Sequence, residues 1–464
     1  MGERKRFRVE RDSLGEVEVP EEALYGAQTQ RAVDNFPLSG QRMPARLIHV
    51  LGAIKAAAAQ ANAMLGQLDA GRAQVIIGAA LETSQGLHDA HFPVDVYQSG
   101  SGTSTNMNAN EVIASLAARR SGASVHPNDH VNRGQSSNDV IATAIHVASR
   151  LECGEELLPA LDRLESILEQ RATEYDDVVK TGRTHLMDAL PITLGQEIRA
   201  WSAQVHAASE RIHAVMPRLE RIAQGATAVG TGANAHPRFA QLFAAELSVL
   251  TGIAFTPADN LFAAVSCQDS AVELSGQLRG LAIVLSKIAD DLRWMNSGPL
   301  HGLAEIRLRA LQPGSSMMPG KVNPVIPEAV AMVCAQVIGN DCSIGLAGQA
   351  SRFQLNTMMP LIAADLLESI RLLGRAARLL ADRALADFEV DRDRLRAQAT
   401  DNPVLVTALA ETLGYDMAAR IAARAFDERR PLRELVLEMT ELSGSEVDRL
   451  LDPAALARGA THSA

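Results

Sequence analysis

"LSGQLRGLAIVLSKIADDLRWM" fills residues 274–295. Its apolar positions fall at Leu274, Leu278, Leu281, Leu285, Ile288, Leu292 and Met295, in steps of four and three. Such steps average about 3.5 residues, the spacing of one helix face packed along a seam. The same alternation runs through Ile198, Trp201, Val205, Ala208, Ile212, Val215, Leu219 and Ile222. It returns at Leu157, Leu161, Leu164 and Leu168, at Ile370, Leu373, Ala377 and Leu380, and at Val330, Val333 and Val337. Helices of about 25–35 residues are expected, roughly 40–50 Å long, in a rod-like bundle. Ile283 and Val284 lie beside the main stripe of the quoted helix. A helix apolar on more than one side needs more cover than one chain supplies, so bundles are expected to pack against bundles in an oligomer.

Composition agrees with a helical chain. Of 464 residues 47% are hydrophobic and only 3% aromatic. Sheets lean on aromatic and β-branched residues, whereas alanine and leucine favour helix. The formal net charge of −11 argues against a nucleic-acid partner or an anionic membrane, both of which need a basic face. It leaves room for a small anionic substrate, which feels its local site first. Cys153, Cys267, Cys334 and Cys342 form no C-x-x-C pair. Three of them sit in helical patterns, which suggests free thiols in a reducing cytosol. The first twenty residues hold no apolar stretch for a signal peptide, and no uninterrupted apolar run reaches membrane-spanning length. A soluble cytoplasmic protein is expected. Residues 6–20 alternate weakly around Asp-Ser-Leu-Gly, which predicts a small hairpin. Beyond residue 390 the helices shorten and charge density rises, as in a small C-terminal domain.

Four polar stretches interrupt the helices: "SGSGTSTNMNANE" (99–111), "HPNDHVNRGQSSND" (126–139), "GRTHLMDALPITLGQE" (182–197) and "GSSMMPGKVNPVIPE" (314–328). Helix capping explains two or three small polar residues in each, but not such runs of Ser, Thr, Asn and His. The last stretch presents backbone N–H groups and one lysine. It is not a phosphate-binding P-loop. Five residues separate Gly314 from Gly320, Val322 follows Lys321, and Pro319 removes an N–H.

Taken together these segments resemble the signature blocks of the fumarase/aspartase superfamily of lyases. "GSSMMPGKVNP", "HPND…QSSND", "GRTHLMDALPITLGQE" and "AVGTGANAHP" (228–237) are similar to class II fumarases in detail and stand in the same order. The likeness runs from "LYGAQTQRAVDNFP" (24–37) to "TALAETLGYDMAARIA" (407–422). It implies a mainly all-α, three-domain fold with a central long-helix bundle, assembled as a homotetramer around a core of about twenty helices. The expected domains are 1–136, 137–392 and a small helical 393–464. The implied activity is reversible hydration of fumarate to (S)-malate, with no metal and no organic cofactor.

Adding water beside a carboxylate needs a base for the water, a proton carrier for the neighbouring carbon, and donors that hold a dianionic aci-carboxylate. The resemblance assigns these roles. His185 is the water base, with Glu328 as its carboxylate partner, and Ser315 is the carbon acid/base. Lys321 and Asn323 bind a carboxylate. Ser101, Gly102, Thr103, Ser136, Ser137, Asn138, Thr184, Ser316 and Val322 complete the substrate site. His126, Pro127, Asn128 and Asp129 match a second anion site. A serine is a poor base, so its role demands that backbone N–H groups and Lys321 stabilise an alkoxide. Ile141-Ala142, His130 and Gln354 depart from the family's usual residues. An aspartate ammonia-lyase is the nearest alternative, but those enzymes typically carry Gln at the His185 position and lack a counterpart of His236. A non-catalytic helical scaffold, of the kind found in lens crystallins, predicts loss of the loop residues, which are all present. Finally, Asn138 precedes the helix of Leu157 to Leu168 and His185 follows it. If that helix spans most of 140–180, its ends lie roughly 50–60 Å apart. One small substrate then meets both residues only if neighbouring chains share the site.

Overall fold

The structure is a computed structural model that describes residues 6–459. Helices dominate it, with five two-stranded sheets among the described residues. The N-terminal hairpin forms as Phe7–Asp12 against Gly15–Pro20. The long helices are Leu194–Leu219 (26 residues), Asp269–Met295 (27), Val325–Gly348 (24) and Met359–Leu380 (22). Ser137–Glu152, a π-helical turn at Cys153–Leu157, and Leu158–Glu174 follow one another without a break.

The seams are interior, as their spacing requires. Leu274, Leu278, Leu281, Leu285, Ile288 and Leu292 are all fully buried, as are Trp201, Val205 and Ile212. One seam differs from expectation. In Val325–Gly348 Val330, Cys334 and Val337 are buried and Val333 is half-buried, so Cys334 faces inward where Val333 was expected. Both choices keep helical spacing, and the thiol behaves as a small apolar group. The same helix carries exposed Met332, Ile338 and Leu346. By length and composition it could cross a membrane, and 28% of its most apolar window is buried. Polar anchors interrupt it. Asp341 accepts from Ser275 and Arg279, and Asn340 donates to Ser369.

The chain divides into two compact units. The first holds the chain up to Pro159, Ser209–Ala282 and Val333–Arg375. Here Ala45–Met64 packs closely on Ala70–Ser84 at Gly52, where a Cβ would lie 2.5 Å from Ser84 N and 2.7 Å from the Ala80 carbonyl oxygen. Helix Ala27–Asn35 has glycine at its N-cap and so lacks a side chain to satisfy its first N–H groups. Glu111, from Thr103–Ser121, supplies the acceptor instead. Its carboxylate takes the N–H groups of Gly26, Gln28 and Thr29 and the Thr29 hydroxyl.

The second unit holds Ala160–Ala208, Ile283–Met332 and the chain from Ala376 onward. Its C-terminal part has a core of its own, built from Leu405, Leu409, Ile421, Leu435, Val436, Val447 and Leu450.

Candidate active site

In the first unit, Ser101 and Thr103 open the helix Thr103–Ser121 and share a 2.8 Å hydroxyl–hydroxyl hydrogen bond. Gly100 fixes this segment. A Cβ there would lie 1.8 Å from the Thr357 carbonyl oxygen, so no larger residue fits, and Met359 N–H donates to the Gly100 carbonyl. Ser136 caps the helix Ser137–Glu152 in a capping box with Asp139. One Asp139 oxygen accepts from Ser136 N–H at 2.9 Å, and the other from Gly225 N–H and Thr227 N–H at 3.1 and 2.8 Å. Burial still pushes this carboxyl up to about 7, against the pull of those N–H groups. The bonds tie the loop around 225–228 to the start of the helix. Asn138 adds a further tie by donating to the Ala228 carbonyl at 2.8 Å.

Ser137 accepts a 2.9 Å hydrogen bond from Asn106, whose amide also reaches Asn132. Asn132 in turn accepts from Lys55, which is fully buried. Burial pulls the Lys55 ammonium down to about 7, with the Asp139 charge opposing. The "HPND" segment forms a π-helical turn, Pro127–Val131. His126 Nδ1 accepts from Asp129 N–H, and His130 Nδ1 accepts from His126 N–H at 2.8 Å. His126, Asn128 and Asp129 are exposed, while Pro127 is half-buried. Of the departing residues, Ile141 and Ala142 are buried, with Ile141 against Gly102, and Gln354 sits in the tight turn between Ser351–Arg352 and Leu355–Asn356.

In the second unit, the segment expected to be a polar interruption is a β-hairpin, Val179–Thr184 against Met187–Thr193. His185 and Leu186 form its two-residue tip, with φ of 56° and 59°. Positive φ at both central positions is the type I′ hairpin turn, whose twist matches the strands. Thr184 and His185 are thereby held out into solvent. A buried ion cluster grips the base of the hairpin. Lys180 donates to Glu197 at 2.6 Å and to Glu305 at 2.7 Å, and Arg183 donates to the other Glu305 oxygen at 2.5 Å.

Glu305 precedes the signature loop, which is closed on itself. Gly314 N–H donates to the Lys321 carbonyl and Asn323 donates its side-chain N–H to the Gly314 carbonyl, both at 2.8 Å. A Cβ on Gly314 would lie 2.6 Å from the Lys321 oxygen, so glycine is required for the closure. Inside the loop Ser315 Oγ accepts the N–H groups of Met317 and Met318 at 3.1 and 2.9 Å. Ser316, Lys321 and Val322 are exposed, and Glu328 stands in the first turn of Val325–Gly348. Among the described residues, the side chains of His185, Lys321 and Glu328 have no hydrogen-bond partner, so the expected His185–Glu328 pair is not made within the chain.

Each unit thus presents small donors, and the second adds a cation, an imidazole and a serine whose oxygen already faces two N–H groups. That chemistry suits a carboxylate at which negative charge develops. Comparison with known proteins points the same way. A family described as lyase matches residues 15–339, and one described as fumarase C C-terminus matches 405–458. Fumarate hydratase class II 2 of Pseudomonas aeruginosa is 57% identical over 452 residues, covering 97% of this chain and 99% of that one. The chain belongs to the class II fumarate hydratase family. Another relative, fumarate hydratase class II of Xylella fastidiosa, is 55% identical over 100% of this chain and 98% of its own. The crystal structure of class II fumarase from Schistosoma mansoni superimposes with a TM-score of 0.95 at 37% identity, covering 98% of this chain and 100% of that chain. The mainly helical fold expected from the seams is therefore the fumarase fold.

Sequence reasoning missed Lys55, Asn106, Asn132, Lys180 and Glu305. A signal existed for some. Lys55 interrupts an otherwise apolar run, "VLGAIKAAAA", and Asn106, Asn108 and Asn110 sit inside a helix that disfavours asparagine.

Proposed function

We propose that the chain hydrates fumarate reversibly to (S)-malate by anti addition through an aci-carboxylate. The observation that carries the mechanism is Ser315 Oγ, placed on two backbone N–H groups in the loop that also holds Lys321 and Asn323. In the hydration direction His185 takes a proton from water as its oxygen attacks one alkene carbon. The electron pair moves into the carboxylate on the far carbon, where Lys321, Asn323 and the hydroxyls of Thr184, Ser136 and Ser137 hold the extra charge. Ser315 then gives its proton to that carbon, and the resulting alkoxide is held by Met317 N–H, Met318 N–H and the lysine charge. Glu328 orients His185. Ser101, Gly102, Thr103, Asn138, Ser316 and Val322 complete the pocket, and His126 to Asp129 form a second anion site.

The working form is a homotetramer whose sites draw on more than one chain. Two features support it: the exposed apolar positions Ile283, Met332, Ile338 and Leu346 on long helices, and the solvent-facing His185, which does not meet the half-buried Glu328 within the chain. The expected organisation is 1–136, 137–392 and 393–464, in the cytoplasm. No metal is needed. The test follows the ultraviolet absorbance of the fumarate double bond, with malate or aspartate as substrate and EDTA present. Turnover of malate alone is expected. Turnover of aspartate with ammonia release would make the chain an ammonia-lyase, and loss of activity restored by a divalent ion would overturn the metal-free mechanism.

A further inference from the structure

We infer that Lys55 sets the direction of a buried hydrogen-bond chain, Lys55–Asn132–Asn106–Ser137, and thereby makes Ser137 a hydrogen-bond donor to the substrate carboxylate. Lys55 is a positioning residue here, and the assignment presumes the hydration reaction proposed above.

The logic starts from what each group can do. Below about pH 7 Lys55 is an ammonium, which has only donors. Lys55 Nζ lies 2.9 Å from the Asn132 side chain and 3.0 Å from that of Gln135, so both must turn oxygen toward it. Two local contacts agree. Asn132 then donates its own N–H to the Gln135 carbonyl, and Gln135 donates to the carbonyls of Val131 and Arg133. With Asn132 Oδ1 fixed as an acceptor, its other neighbours must present nitrogen. Asn106 and Asn110 do so at 3.3 and 3.1 Å.

This orientation is not locally comfortable. The side-chain oxygens of Asn106 and Asn110 are left buried without a partner. Flipping either amide would turn its oxygen away from that dead end but set it against Asn132 Oδ1. The lysine, with the Gln135 carbonyl that faces the Asn132 N–H, decides between the two. The second N–H of Asn106 then reaches Ser137 Oγ at 2.9 Å. Ser137 is thus an acceptor on its inner side, and its one proton is left to point outward.

A serine with both roles free would divide its time between donating and accepting. A carboxylate accepts only. Fixing the hydroxyl as a donor before substrate arrives removes that loss, as preorganised donors do in general. Without the lysine, only the Gln135 backbone carbonyl, 3.1 Å from the Asn132 N–H, still favours this direction, and the unpartnered oxygens of Asn106 and Asn110 pull against it.

A double-mutant cycle tests this. Lys55→Met keeps the length of the side chain and removes the donor, whereas Lys55→Gln retains an N–H. Ser137→Ala removes the end of the chain. In active enzyme Lys55→Met should raise the KM for malate roughly 10- to 100-fold, about as much as Ser137→Ala, with a smaller change in kcat. Lys55→Gln should recover little of that loss, because its amide can flip and has no fixed polarity. The double variant should be no worse than Ser137→Ala alone, because the lysine acts through the serine. If Lys55→Met does not fold, as judged by circular dichroism, the same cycle with Asn106→Leu replaces it. Multiplying KM effects in the double variant, or a wild-type KM in Lys55→Gln, would overturn the inference. A wild-type protein with no malate turnover sinks the functional proposal instead, and the two failures are read from different samples.

Discussion

Glu305→Gln is the substitution for which the structure gives the largest calculable effect. The Glu305 side chain is fully buried and takes Lys180 on one oxygen and Arg183 on the other, at 2.7 and 2.5 Å. Glutamine has the same shape but one acceptor fewer and no charge. One cation therefore meets an N–H group instead of an oxygen. Lys180 keeps Glu197 at 2.6 Å, but Arg183 has only Asp188, 3.9 Å away. Breaking a buried charge pair by removing one partner costs about 3–5 kcal/mol. The loss is local to the hairpin Val179–Thr184/Met187–Thr193, so it should appear first in the opening of that element. At about 1.4 kcal/mol per tenfold, amide protection there should fall by roughly two to three and a half orders of magnitude. Hydrogen exchange read by mass spectrometry on peptides covering 179–193 measures this, with the C-terminal cluster 405–451 as an internal control. Because His185 sits at the hairpin tip, kcat should fall with little change at the control. Hairpin protection within tenfold of wild type would mean that Glu305 does not hold the hairpin.

Three further outcomes are expected. Ser315→Ala should lower kcat by about 10²–10⁴ with an unchanged melting temperature, since the N–H groups of Met317 and Met318 can turn to water in this exposed loop; a variant with most of its activity means another group carries the carbon proton. Asp139 should print a pH signature on stability. A carboxyl raised on folding binds more protons in the folded state, so its contribution is greatest at acid pH and is lost as pH climbs from 3.8 to about 7. Asp139→Asn should therefore look most damaging near pH 4 and least near pH 7 in denaturant titrations, and a constant difference across the range refutes the shift. Last, Asn138→Ala and His185→Asn should each be nearly inactive, yet regain roughly a quarter of wild-type activity after being unfolded and refolded together, the share of randomly mixed sites with both residues intact. No recovery, with mixed oligomers seen by native mass spectrometry, places the site within one chain.

The seams were readable because burial repeats with the helix, and the period survives substitution by any apolar residue. The same tolerance explains the slip at Cys334, where two neighbouring apolar positions both satisfy the period. The signature loop was readable because its glycines, serines and lone lysine serve no core. The hairpin at 179–193 was not. Its turn is His-Leu rather than Asn-Gly, and a register shift at Thr181/Arg183 breaks the strand alternation. Lys55, Lys180 and Glu305 escaped for a different reason. Charged residues are almost never fully buried, so a sequence places them in solvent by default. Only partners distant in the chain make their burial tolerable, and those partners appear once the fold brings them together.

The helix Val325–Gly348 has one more consequence. Its first turn carries Glu328, and further along the same rod stand the bare Met332, Ile338 and Leu346. A helix is stiff, so whatever surface settles on the apolar face also sets where the carboxylate points. If that surface is another copy of the chain, the protein's own concentration enters its rate law. Dilution would then strip cover from the rod and withdraw Glu328 in one step, at a concentration set by mass action rather than by any effector.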